Sequence, residues 1–151
     1  MEHESPARMN VVERVSVLRR VELFAGAPGR VLAGVAAVAV EIEVAVDAVV
    51  LEQGDVGHTL FVVLDGELSV EVRGQMIARL SPGSVFGELA IFVPEARSAT
   101  VRALSATRLL SIDKVAVDEL LLDHPEVAHS VITALVRRIQ EHNRGLVDTG
   151  G

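Results

Sequence analysis

The chain has 151 residues, half of them hydrophobic, and 14 Lys and Arg against 21 Asp and Glu give it a formal net charge of −7. One domain with helical additions fits that length, and its core must be aliphatic, because there are four Phe and no Trp or Tyr. With no cysteine, disulfides, thiolate catalysis and Cys-ligated zinc or iron–sulfur sites are excluded; the acidic balance argues against nucleic-acid and anionic membrane surfaces, so an anionic ligand needs a local cationic pocket.

Residues 1–9 carry Ser, Pro and charge without periodicity and read as a disordered lead-in, lacking the basic start and apolar core of a signal peptide. Asn10 with Glu13 three residues on makes a capping pattern, and Val11, Val15 and Leu18 follow at helical spacing. After Leu23, Phe24 and Gly26, Pro28 can open a second helix through Val31, Leu32, Val35 and Ala36. The longest apolar run, Val31 to Val40, is broken by Gly34 and too short to span a bilayer, so the chain reads as cytoplasmic.

From Val38 the period changes to two, with Val38, Val40, Ile42, Val44 and Val46 expected on one face. Val49 to Leu51 and the fully apolar Leu60 to Leu64 read as strands, separated by a Gln53-Gly54-Asp55-Val56-Gly57 turn. Asp65-Gly66 is a tight-hairpin signal; Leu68, Val70 and Val72 alternate with Ser69 and Glu71, Arg73-Gly74 turns the chain, and Met76 to Leu80 returns. Thr100 to Leu104 and Thr107 to Ile112 are two more short strands. Many short strands joined by Gly-rich turns indicate a sandwich or closed roll over 38–112. Asp113 is a good N-cap for a helix through Val117, Leu120 and Leu121. Asp123, Pro125 and Glu126 then open a last helix with an apolar stripe of Val127, Val131, Leu135 and Ile139, flanked by Ile132 and Val136; it ends near 143, and 144–151 reads as a tail.

Between the strands lies Phe86 to Val101, F-G-E-L-A-I-F-V-P-E-A-R-S-A-T-V. Gly87 permits a sharp change of direction, and Glu88, Leu89 and Ala90 can open a single helical turn whose free N–H groups suit an anion. Arg97, at the mouth of an apolar strand, is a guanidinium for which phosphate is a planar, bidentate partner. Glu88, acceptor-only when ionised, suits a sugar hydroxyl better than a phosphate. An ordinary Glu88–Arg97 ion pair closing a surface loop is the plain structural alternative.

The F-G-E-L-A start, the R-S-A-T-V end and the spacing between them resemble the phosphate-binding cassette of the cyclic nucleotide-binding domain family. The resemblance implies an eight-stranded antiparallel β-roll of jelly-roll type, mainly β, with an N-terminal helical segment (10–37) and two C-terminal helices (113–143). It implies that Glu88 binds the ribose 2′-hydroxyl and Arg97 the cyclic phosphate, while Gly87, Leu89, Ala90 and Ser98 add backbone and hydroxyl contacts. Ala96 departs from kinase-type members, which carry proline there. The Leu23-Phe24-x-Gly26 element also resembles the family's N-terminal bundle, and Val70 and Ile77 would wall the ribose and base. The last helix would be a mobile lid, although its stripe reads equally as fixed core or as the seam of a homodimer. Arg137 and Arg138 could cap a purine there or simply form a solvated face.

The resulting expectation is a cytoplasmic cyclic nucleotide sensor that binds cAMP or cGMP, needs no cofactor or metal, and signals by movement of its C-terminal helix to an effector domain or protein outside this chain. Of the five His, only His58 falls in the strand region, in a turn, so the converging His set of a jelly-roll metalloenzyme is missing, and no catalytic constellation stands out. The competing expectation is a ligand-free β-roll scaffold used for dimerisation or docking. A catabolite-activator-type transcription factor would need a helix-turn-helix beyond the last helix.

Overall fold

A computed structural model describes residues 8–88, 91 and 95–150. Contacts divide the chain into two compact units, one holding Ala37–Asp118, the other Met9–Ala36 and the residues from Glu119 onward.

The first unit holds the strands β1 (Val40–Val44), β2 (Val49–Leu51), β3 (Val56–Gly57), β4 (Thr59–Asp65), β5 (Leu68–Val72), β6 (Gln75–Leu80), β7 (Val85–Phe86), β8 (Glu95–Ala96), β9 (Thr100–Ala103) and β10 (Thr107–Asp113). They form two four-stranded sheets, ordered β1-β10-β4-β7 and β2-β9-β5-β6, and a two-stranded ribbon, β3-β8; every pairing among the described residues is antiparallel. The architecture is mainly β, a jelly-roll arrangement with flanking helices.

The apolar run in β4 is explained by its central place. It lies between β10 and β7, and its side chains alternate across the sheet. Phe61 and Val63 join Leu68, Phe86, Val101 and Leu109 in one core cluster, while Leu60 and Val62 point to the opposite face and are also buried. β1, by contrast, is an edge strand paired only with β10. Ile42 and Val44 pack on the cluster as the alternation requires, but Val38, Val40 and Val46 are more than half exposed, so the expected inward row shortens to its middle. The β3-β8 ribbon could not be anticipated, because two residues per strand carry no periodicity.

In the second unit, Asn10 caps α1 (Val11–Arg19) by accepting a hydrogen bond from Glu13 N at 2.9 Å. A 3-10 turn (Glu22–Phe24) buries Leu23 and Phe24, and α2 (Gly29–Val38) starts directly after Pro28 and buries Val31, Leu32, Val35 and Ala36. Two further helices follow β10: α3 (Lys114–Asp123), next to Asp113, and α4 (Pro125–Gly150). α4 packs against the 3-10 turn, where Arg138 Nε meets Glu22 Oε2 at 3.4 Å, and it is helical through residue 150, beyond the expected start of a tail at 144. Its inner face buries Val127, Val131 and Ala134; Ile132, Val136 and Ile139 are exposed, so its apolar residues fall on two faces rather than one.

Candidate functional site

The site is built where β7 leaves the sheet. Phe61 and Phe86 are partners across β4 and β7, with rings stacked at 5.0 Å and 17°, and they fix the point from which the next residues depart. Gly87 follows at φ 79°, a left-handed conformation that a side chain disfavours, and a Cβ there would approach Thr59 O at 2.6 Å and Arg97 Nη1 at 2.9 Å. Glu88 comes next, half-buried, its carbonyl accepting from Ile91 N at 3.3 Å.

Arg97 is set in place from the other side of the unit. The β3-β8 ribbon brings it to the turn that precedes β3, where its N–H donates to Asp55 O at 2.7 Å and its carbonyl accepts from Gly54 N at 2.9 Å. Those backbone bonds aim the side chain inward, leaving the residue only 9% exposed. Nη2 donates to Thr59 O at 3.1 Å, while Nε has no hydrogen-bond partner among the described residues. Burial alone pushes the guanidinium below its ordinary pKa, yet an arginine stays a cation in any working pH range. A buried cation whose donors are partly unused is costly unless an anion meets it.

A cavity of about 340 Å³ opens beside this guanidinium, within the strand-bearing unit. Leu51, Val70, Phe86, Ala96, Ala99 and Val101 supply apolar walls; Glu88, Arg97 and Ser98 are its polar side chains. A mostly apolar cleft with a few convergent polar groups, one of them an underused cation, has the make-up of a small-molecule site and the size for one. The model of the cyclic nucleotide-binding domain matches residues 41–124, more than half of the chain and the whole of this cavity. The chain belongs to the cyclic nucleotide-binding domain family.

Among relatives, this cyclic nucleotide-binding domain is 24% identical over 137 residues to the CRP-like cAMP-activated global transcriptional regulator of Mycobacterium tuberculosis, a match covering 87% of this chain and 61% of that protein. To the cAMP-dependent protein kinase regulatory subunit of Schizosaccharomyces pombe it is 36% identical over 75 residues, covering 49% of this chain and 18% of the relative. The chain therefore spans less than two thirds of these curated relatives. A solved structure, the N-terminal domain of a transcriptional regulator from Streptomyces coelicolor, superposes with a TM-score of 0.79 at 32% identity, covering 86% of this chain and 94% of that one.

Of the residues singled out in the domain's sequence, Gly87, Glu88, Arg97, Ser98 and Val70 meet at one cavity. Leu89 and Ala90 lie outside the described residues. Ile77 does not line the cavity: it sits on β6, the edge strand of its sheet, beside a register shift between Val70 and Glu71, and is 63% exposed. Arg137 and Arg138 are on α4, in the other unit; Arg137 is exposed, and Arg138 is engaged with Glu22. Ala96, the departure from kinase-type proline, pairs with Val56 in the ribbon. Sequence reasoning missed Gly57 and Thr59, both in contact with the Arg97 guanidinium, because the turn assignment accounted for Gly57 and nothing local ties either residue to a partner about forty positions on. Among the described residues, no three His, Asp or Glu are placed to hold a metal ion, and no helix is long and apolar enough to cross a membrane.

Proposed function

We propose that this domain is a sensor that binds a cyclic nucleotide in the β-roll cavity, cAMP in preference to cGMP, and relays occupancy through α4. The observation that carries the reading is Arg97, nine-tenths buried, with Nε unpartnered, beside a cavity that also holds a carboxylate and a hydroxyl. In this reading the cyclic phosphate takes Arg97 as a charge-assisted partner, Glu88 accepts the ribose 2′-hydroxyl, Gly87, Leu89 and Ala90 contribute backbone contacts, and the apolar wall that includes Val70 receives the sugar and base. The similarity to a cAMP-activated regulator and to a cAMP-dependent kinase subunit supports cAMP as the ligand. Discrimination between bases is modest, because an apolar wall separates similar ligands by only about 1–3 kcal/mol. Ser98 is the hydroxyl that can favour guanine.

Titration with a fluorescent cyclic nucleotide, followed by competition with cAMP and cGMP, tests the reading. Saturable binding displaced by cAMP more effectively than by cGMP is the expected result. No binding would leave the ligand-free scaffold, and a cGMP preference that disappears in Ser98→Ala would transfer the specificity to that hydroxyl. Relay through α4 predicts that its amide hydrogen exchange changes when cAMP is added.

The partner suited to the outer face of α4 is a second copy of this chain. Ile132, Val136 and Ile139 are about half or more exposed, at spacings of four and three, and Asn143 continues the series four residues on. That is a heptad seam with one polar position, the pattern of a parallel two-stranded coiled coil in which a paired Asn fixes register. The effector governed by the sensor is a further domain or protein.

A further inference from the structure

We propose that Gly57 is a positioning residue for Arg97: the missing side chain at Gly57 is the seat into which the guanidinium fits. The inference rests on the cyclic nucleotide reading of the cavity and adds to it the element that aims the cation.

Glycine at this position has no backbone explanation. Among the described residues the glycines with positive φ are Gly54, Gly66, Gly74, Gly83 and Gly87, and Gly57 is not one of them, so its backbone conformation is open to an L-residue. It is a strand residue, paired with Glu95 in the β3-β8 ribbon, where a side chain is ordinarily tolerated. What forbids one is Arg97. A Cβ built on Gly57 would overlap Nε, Nη2 and Cζ of that arginine, and these are its three nearest atoms. The ribbon that pairs Gly57 with Glu95 also delivers Arg97 two residues later, and Thr59, two residues beyond Gly57, accepts the bond from Nη2. One short segment thus grips the guanidinium twice, by a carbonyl and by the space that glycine leaves.

The three nearest atoms all belong to the far end of a flexible side chain, and none of the three is backbone. Adding a methyl at Gly57 is therefore relieved by moving the guanidinium, which gives up the Thr59 bond and leaves its place beside Glu88 and Ser98, while the strands stay as they are. Gly87 does not allow so clean a test, because its own φ is left-handed and its Cβ would also meet Thr59 O.

The experiment compares Gly57→Ala in the native background and in the Arg97→Lys background, reading affinity for a fluorescent cAMP analogue and thermal stability. The expected result is a Tm near native with affinity lowered at least about tenfold in the native background and by less than about twofold where the fork is already gone, as coupled residues require. Native affinity in Gly57→Ala, or equal losses in both backgrounds, overturns the proposal. Should Gly57→Ala fail to fold, adding Arg97→Ala decides the matter: recovery of the fold identifies the guanidinium as the obstacle, and continued misfolding shows that the backbone itself needs glycine. A ligand-independent readout separates this proposal from the cyclic nucleotide assignment. The buried Nε–H of Arg97 should give a slowly exchanging NMR signal, assigned by its loss in Arg97→Ala, and that signal should lose its protection in Gly57→Ala even if no nucleotide binds; a protected signal retained in Gly57→Ala overturns the seat whatever the ligand is.

Discussion

Arg97 combines a burial cost with the binding role proposed for it, and the two can be separated by substitution. A charge-assisted contact in a partly desolvated site is worth about 1.5–3 kcal/mol and more when bidentate, so Arg97→Ala should weaken cyclic nucleotide binding by about 100-fold or more in a fluorescence titration. The same change relieves the desolvation that lowers the pKa of this cation and forfeits one bond to Thr59 O, so the Tm should stay within a few degrees of native. Near-native affinity in Arg97→Ala would remove the phosphate role. Glu88 separates differently. A 2′-deoxy analogue should bind the native protein weakly, and Glu88→Ala should erase the difference between the two ligands, which isolates one hydrogen bond. Equal affinities in the native protein would assign Glu88 to holding its own loop.

At the scale of elements, the turn between β4 and β5, which carries the chain from one four-stranded sheet to the other, shows how a turn fixes the frame around the cavity. Gly66 sits at φ 90°, its N–H donating to Asp65 Oδ1 at 3.0 Å, and a Cβ there would approach Ala106 O at 2.5 Å and Thr107 Cα at 2.8 Å. These two are backbone and cannot swing aside, in contrast to the guanidinium at Gly57; the third near atom is Thr107 Oγ1 at 2.6 Å. Gly66→Ala should therefore destabilise the domain by about 2–4 kcal/mol, measured by denaturant unfolding, from left-handed strain and steric displacement together. An unchanged unfolding midpoint would mean that the β9–β10 connection yields. The two glycines predict opposite signatures, lost stability at Gly66 and lost affinity at Gly57.

For the whole molecule, the open question is assembly. The exposed seam of Ile132, Val136 and Ile139 predicts a dimer in solution, and Ile139→Lys, which places a charge in that seam, should yield a monomer by size-exclusion chromatography with light scattering. Because Ile139 is 60% exposed in the single chain, the substituted monomer should keep its fold and its cyclic nucleotide site. A native protein that is already monomeric at micromolar concentration would remove the seam.

Sequence alone determined the pieces whose signal is local. The Asn10 cap, the strand over Leu68 to Val72 and a turn at Asp65-Gly66 depend on neighbours a few residues away, and all three are present; but Ser69, expected on the outer face, is as buried as Leu68, and the turn read as a tight hairpin instead joins strands of two different sheets. The F-G-E-L-A and R-S-A-T-V segments identified the family because their spacing is specific, and Gly87, Glu88, Arg97 and Ser98 do line one cavity. What only the tertiary structure decided is contact between segments distant along the chain. Val40 and Ile42 share one alternating pattern, yet one is exposed and the other packed, since burial depends on where the edge of a sheet ends. Ile77 looked like a wall residue and stands in the open on an edge strand. Gly57 looked like a turn glycine, and its contact with a guanidinium forty positions away exists only because the β3-β8 ribbon, too short to leave a period in the sequence, brings the two together.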